Sequence, residues 1–172
     1  MIAHVTLKGK GNVVFVSRND LPEDSRSALI ALLDARLADA IDLQTQMKQA
    51  HWNVKGPTFI SLHELFDKIN EDVEEYVDEL AERAVQLGGE VHGTARQVAS
   101  RSTLPEYPTV KNGRRHVEAV TTALASFGKG VRTAIDQSDG LGDKDTADIF
   151  TEISRGVDKW LWFVEAHLQT ER

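Results

Sequence analysis

Apolar positions recur every three to four residues along four long stretches, with polar positions filling the spaces between them. That period marks one face of an α-helix. In the first stretch Leu29, Leu32, Leu33, Leu37, Ala40, Ile41 and Met47 carry it to about Val54. Pro22 suits the opening turn, with Asp20 or Asp24 placed to cap it. Gly56 and Pro57 then break the chain. The second helix is expected from about Thr58 to Leu87, on a stripe of Leu62, Leu65, Phe66, Ile69, Val73, Val77, Leu80, Ala84 and Leu87. Gly88 and Gly89 are its stop signal. Residues 90–110 hold Gly93, Pro105 and Pro108, which reads as a connection with a short helical turn near Thr94 to Ser100. The third long helix is expected over Val110 to Gln137, on Val117, Val120, Leu124, Phe127, Val131 and Ile135, weakened locally by Gly128 and Gly130. Asp136 to Gly142 reads as a turn. The fourth helix follows from about Asp143 to Thr170, on Ile149, Ile153, Val157, Trp160, Leu161, Val164 and Leu168. The expected fold is all-α, a four-helix bundle. The connection between its second and third helices is long enough to cross the bundle from end to end.

Residues 1–20 show no helical period and contain Lys8, Lys10 and Arg18 among scattered glycines. They read as an N-terminal tail, with Val13 to Val16 laid on the body, and residues 21–172 as the bundle. A chain of 172 residues is one domain by size and needs no covalent staple. It has no cysteine, which excludes disulfides and thiolate metal sites and suits a reducing cytoplasm. The net charge of −7 favours cations over nucleic acid as partners. The apolar run Val13 to Val16 is too short for a signal-peptide core, and no stretch approaches a membrane span.

The densest candidate chemistry lies in residues 51–82, which hold His51, His63, Asp67, Asp78 and Glu82. His63 and Asp67 are one helical turn apart, as are Asp78 and Glu82. At about 100° per residue, with His63 at zero, Asp67 falls near 40°, Asp78 near 60° and Glu82 near 100°. All four share one arc, yet His63 and Asp78 are about 22 Å apart along the axis. Metal–ligand bonds are only about 2 Å long. One ion can touch both pairs only if two copies of the helix run antiparallel about a two-fold axis. By spacing alone, however, these carboxylates read just as readily as a solvated acidic face opposite the apolar stripe.

The segments HWNVKGP, LHELFD and DELAERAVQLGG, together with DKWLWFVEAHL near the C-terminus, closely resemble the signature of the Dps family, the bacterial mini-ferritins. The resemblance runs through most of the chain and implies a ferritin-like four-helix bundle assembled as a dodecamer. It places ferroxidase ligands on His51, His63 and Asp67 of one subunit, and on Asp78 and Glu82 of its two-fold partner. Each shared site would hold two iron ions. It implicates Trp52 in taking up oxidising equivalents. Proteins of this family oxidise Fe²⁺, usually preferring hydrogen peroxide to dioxygen, and store the ferric mineral inside the shell. Protection from oxidative damage follows. No Glu-x-x-His occurs, which argues against a di-iron centre inside the bundle.

Imidazole and carboxylate donors without thiolate suit iron, zinc and other divalent ions. Zinc binds such donors more tightly than Fe²⁺ and is expected to compete. Asp78 is either a ligand or a group that orients His51 or a bound water. Asp143, Asp145 and Asp148 read as favourable charge at a helix N-terminus. By resemblance they read alternatively as a carboxylate ring at a three-fold pore. Glu71, Glu74 and Glu75 are candidates for support of the site or for a helix–helix interface. Lys111, Arg114, Arg115 and His116 read as a solvated basic helix start, and His4, His92 and His167 as ordinary polar histidines. The alternative function is a nucleoid protein that coats DNA. The sparse cations of the tail and the acidic body weigh against it. A third reading is a zinc-holding structural oligomer.

Overall fold

The computed structural model describes residues 13–169. Their secondary structure is five helices: α1 (Glu23–Asn53), α2 (Phe59–Gln86), α3 (Ala95–Arg101), α4 (Gly113–Gly140) and α5 (Lys144–Glu165). The four long helices form the bundle, and α3 lies within the crossover. Among the described residues no helix is long and apolar enough to cross a membrane.

The local chemistry explains most boundaries. Helix α1 starts after Pro22, which has no N–H to leave orphaned, and neither Asp20 nor Asp24 caps it. Asp24 instead lies in the first turn, where its charge favours the helix N-terminus. Helix α2 stops at Gly88, whose φ of +93° is the left-handed conformation that glycine adopts freely. The stop is also a dock. Val14 and Phe15 donate their amides to the Gly88 carbonyl at 2.9 and 3.0 Å. The rest of the expected tail, residues 1–12, lies outside the described residues.

Helix α4 begins three residues later than the period indicated, because the Asn112 side chain accepts from Arg115 N and sets the start. It also runs through the expected turn at Asp136 and ends only at Leu141–Gly142, with Gly142 at φ +83°. Buried Ala134 and Ser138 keep that last turn against the core. Its two mid-helix glycines do not interrupt it. Gly128 leaves room for Val157 of α5, and Gly130 leaves room for the Arg36 guanidinium of α1. Helix α5 ends at Glu165, short of Thr170, in a turn over residues 166–168.

Helices α1 and α2 pack as one pair, α4 and α5 as the other. A single core cluster joins them, with Phe66, Phe127 and Phe150 its largest fully buried side chains. The start of α4 lies beside the start of α2, since Gly113 sits against the Lys55 carbonyl and Leu62. The segment from Gly88 to Asn112 therefore travels the bundle's length. It has few hydrogen-bonding partners of its own, and one face of α1 supplies them. Asp34 accepts from His92 N and pairs with Arg101. Asp39 accepts from Thr103 N at 2.7 Å, Asp42 from Ser102, and Gln46 donates to the Pro105 carbonyl at 3.0 Å.

His116 is not part of a solvated basic run. It is 1% exposed, and its Nδ1 lies 2.7 Å from the Tyr107 hydroxyl of the crossover. Arg114 and Arg115 do face solvent, and both pair with Glu118. Burial pushes the His116 imidazole below its usual range, opposed by the nearby Asn53 carbonyl. The unfolded imidazole protonates near pH 6.5, before the folded one. Stability is therefore full above about pH 6.5 and falls as the pH drops below it, because only the unfolded chain takes up the proton. His116→Gln is expected to flatten this dependence, read as urea midpoints between about pH 7.5 and 5.5.

Candidate metal centre

The last turn of α1 delivers His51, and the first turns of α2 deliver His63 and Asp67. The loop between them folds back at Gly56, with φ +120°, and brings the two histidines together. Their rings stack with centroids 3.7 Å apart at 23°. Each Nδ1 lies 2.9 Å from the backbone carbonyl of the other histidine. A carbonyl oxygen only accepts, so both Nδ1 atoms carry the proton and donate. Both Nε2 atoms are left with a free lone pair, in ring orientations locked by the backbone. This is how outer hydrogen bonds prepare imidazole for a metal. Phe59 lies over His63, with ring centroids 5.1 Å apart.

Asp67 joins this pair from one turn along α2. Its Oδ1 lies 2.6 Å from Lys48 Nζ and 3.8 Å from His51 Nδ1. The Lys48 hydrogen bond holds the Asp67 carboxyl below its usual range, against the opposing effect of burial. The charge on Lys48 adds to the lowering, as do His51 and His63 when protonated. Asp67 is thus held ionised, ready to bind a cation. Spacing does not point to Lys48, since it is 19 residues from Asp67 and the pair is set only by the α1–α2 packing. Lys48→Met is expected to return the Asp67 carboxyl toward the ordinary range, read by carbon NMR titration of the metal-free chain.

Asp78 and Glu82 lie in the second half of α2, exposed and away from this cluster. Among the described residues, no three histidine or acidic side chains converge on one point within a single chain. His51, His63 and Asp67 thus form one half of the predicted set, and Asp78 and Glu82 stand apart from it on the same helix. Trp52 is 67% exposed and borders a groove with Gln44, Thr45, Lys48 and Asn70.

The three aspartates at the start of α5 separate. Asp143 is 3% exposed and caps the helix by accepting from Thr146 N. Both of its oxygens also accept from Arg83 Nη2 at 2.9 Å. Burial disfavours its charge, but the hydrogen bonds from Thr146 and Arg83 outweigh that and hold the carboxyl below its usual range. A buried, paired carboxylate is not available to line a pore, so Asp143 belongs to the cap reading. Asp145 and Asp148 are exposed and border a groove with Asp136, Asp139 and Lys144. His92 pairs with Asp34 and His167 is exposed. His4 lies outside the described residues.

A ferritin-like domain profile matches residues 30–172. The chain is 46% identical, over 154 residues, to a DNA protection during starvation protein of Agrobacterium fabrum, covering 89% of this chain and 95% of the relative. Among solved structures it is similar to DpsC of Streptomyces coelicolor, with a TM-score of 0.89 at 30% identity, covering 97% of this chain and 98% of that one. It is likewise similar to Mycobacterium smegmatis Dps, with a TM-score of 0.86 at 30% identity, covering 90% and 94%. With the fold, the matched length and the level of identity in agreement, the chain belongs to the Dps family of ferritin-like proteins.

Proposed function

We propose that the protein is a ferroxidase and iron-storage shell, using Fe²⁺ and hydrogen peroxide as substrates and holding the ferric product inside a homo-oligomer, a dodecamer by family resemblance. The observation that carries this reading is the locked histidine pair. The stacked rings leave two Nε2 atoms unpartnered, and the ionised Asp67 lies one turn along α2 from His63. The missing donors, Asp78 and Glu82, lie on the same arc of α2 about 22 Å away. A second copy, antiparallel across a two-fold axis, supplies them.

In this site His51, His63 and Asp67 of one subunit bind Fe²⁺ together with the partner's Asp78 and Glu82. Hard carboxylate oxygens favour the ferric product and so help each electron leave. Two Fe²⁺ ions give one electron each to hydrogen peroxide. Its O–O bond breaks, two protons are taken up and two waters leave, so no hydroxyl radical is released. Trp52, beside the site and exposed, takes up stray oxidising equivalents. Zinc occupies the same donors and inhibits. The protein works in the cytoplasm, where peroxide and free iron must be kept apart.

The DNA-coating reading is supported by the name of the Agrobacterium fabrum relative, a DNA protection during starvation protein. A gel shift across a salt series tests it, since phosphate binding weakens steeply with salt. The main reading is tested on metal-free protein loaded anaerobically with Fe²⁺ and given stoichiometric peroxide. Rapid growth of ferric absorbance, with iron eluting on a shell-sized species, is the expected result. Oxidation no faster than in buffer, on an intact oligomer, would overturn it.

A further inference from the structure

The exposed face of α2 carries more than candidate ligands. Leu62, Phe66, Ile69, Val73, Leu80 and Ala84 go into the core. Asp72 turns toward α5, accepting from Trp160 Nε1 at 2.7 Å, and Tyr76 packs on Gly156. Along the ligand arc, Ile60, Glu71, Glu74 and Val85 remain in solvent. Ile60 is 60% and Val85 50% exposed, and with Phe59 at 42% they are the large apolar side chains that α2 leaves in solvent. Neither Glu71 nor Glu74 is paired with a cation among the described residues.

Helix geometry links these four to the site. The midpoint between positions 63 and 82 is also the midpoint between 67 and 78, and it falls between residues 72 and 73. A two-fold axis there sets His63 opposite the partner's Glu82, and Asp67 opposite the partner's Asp78. The same axis fixes every other pairing. Ile60 meets the partner's Val85, and Glu71 meets the partner's Glu74. The angular positions agree. At about 100° per residue, Ile60 and Val85 stand about 10° to either side of the arc's centre, and Glu71 and Glu74 about 30° to either side. Ile60 and the partner's Val85 thus face each other almost directly, while Glu71 and the partner's Glu74 are offset to opposite sides of the contact line and remain within one helix diameter of each other.

The pairings differ in sign. Ile60 against the partner's Val85 removes apolar surface from water just outside each metal position, which favours contact. Glu71 and Glu74 bring four carboxylates together at the axis, between helices about 8–10 Å apart. Like charges placed opposite one another disfavour an interface, and dissolved ions screen them.

With α2 docked on a second copy in the register that the shared site requires, we propose that Glu71 facing the partner's Glu74 acts as an electrostatic brake on pairing that salt releases. The proposal rests on the reading that the metal site is shared between copies. The brake makes assembly respond to the ionic surroundings through residues that are not metal ligands.

Two experiments on the metal-free full chain test it. The first is sedimentation at about 10 and about 150 mM NaCl, between which the Debye length shrinks from about 30 to 8 Å. The parent chain is expected to pair about tenfold more tightly at the higher salt. Glu71→Gln/Glu74→Gln is expected to pair tightly at both. Asp24→Asn/Glu90→Gln, which changes net charge equally at exposed positions off this face, is expected to behave as the parent. The second is oxidation of Ile60→Cys/Val85→Cys in a chain that otherwise has no cysteine, read as covalent dimer on a non-reducing gel. A cross-link together with salt dependence abolished by the glutamine pair supports the proposal. A cross-link with parent pairing indifferent to salt, or with the glutamine pair still salt-dependent, overturns the brake and leaves the shared site standing. Absence of the cross-link overturns the register and the shared-site reading with it.

Discussion

Chains carrying His63→Ala/Asp67→Asn and chains carrying Asp78→Asn/Glu82→Gln are each expected to oxidise Fe²⁺ about 100-fold more slowly than the parent, since each loses donors to every site. Co-expressed in equal amounts with different tags, they are expected to recover about a quarter of the parent rate. The fraction follows from symmetry. Half of randomly formed pairs are mixed, and a mixed pair has one site with all donors intact and one with both halves damaged. The intact site takes His51, His63 and Asp67 from the second variant and Asp78 and Glu82 from the first. Donors that worked within one chain would give no recovery, because neither chain has a full set. A mixed preparation as slow as its parts would therefore overturn the shared site.

Arg83→Met is expected to cost about 3–5 kcal/mol of stability, because it leaves the Asp143 carboxylate buried without a counter-charge. For a domain of this size that corresponds to a fall of roughly 10 °C in Tm, read by calorimetry at fixed protein concentration. The loss is large because Arg83 satisfies two elements at once. Its Nη2 holds both Asp143 oxygens, and its Nε donates to Thr146 Oγ1 at 2.9 Å. It thereby ties the last turns of α2 to the start of α5. Arg83→Met/Asp143→Leu is expected to recover most of the loss, since an apolar pair leaves no buried charge behind. The sign of the pH effect follows from the depressed Asp143 carboxyl. Its contribution is complete above the unfolded value near 3.9 and is lost as the pH falls below that. The Arg83→Met chain should therefore show less added acid sensitivity than the parent in that range. A variant that unfolds within a degree or two of the parent would show that water reaches Asp143.

Residue types and their spacing specify the four long helices because period 3.6 is a local property, readable without knowing what each helix packs against. The same holds for the arc that places His63, Asp67, Asp78 and Glu82 on one side of α2, and for the inference that one ion cannot reach both pairs. Three things were not local. His116 sits in a run of basic residues, yet the crossover folds Tyr107 over it and buries it. Asp143 sits among exposed aspartates, yet Arg83, 60 residues earlier, claims it. Gly128 and Gly130 look like weak points in a helix, yet neighbouring helices use the space they leave. In each case the deciding partner is distant in the chain. The tautomer of the two histidines belongs with these. Pattern and family resemblance pick out His51 and His63 as nitrogen donors. Only the close return of α2 against the end of α1 puts each carbonyl within 2.9 Å of the other ring and leaves both Nε2 atoms free. Periodicity is carried by neighbours along the chain. Burial, counter-charge and proton position are set by whatever the fold brings alongside.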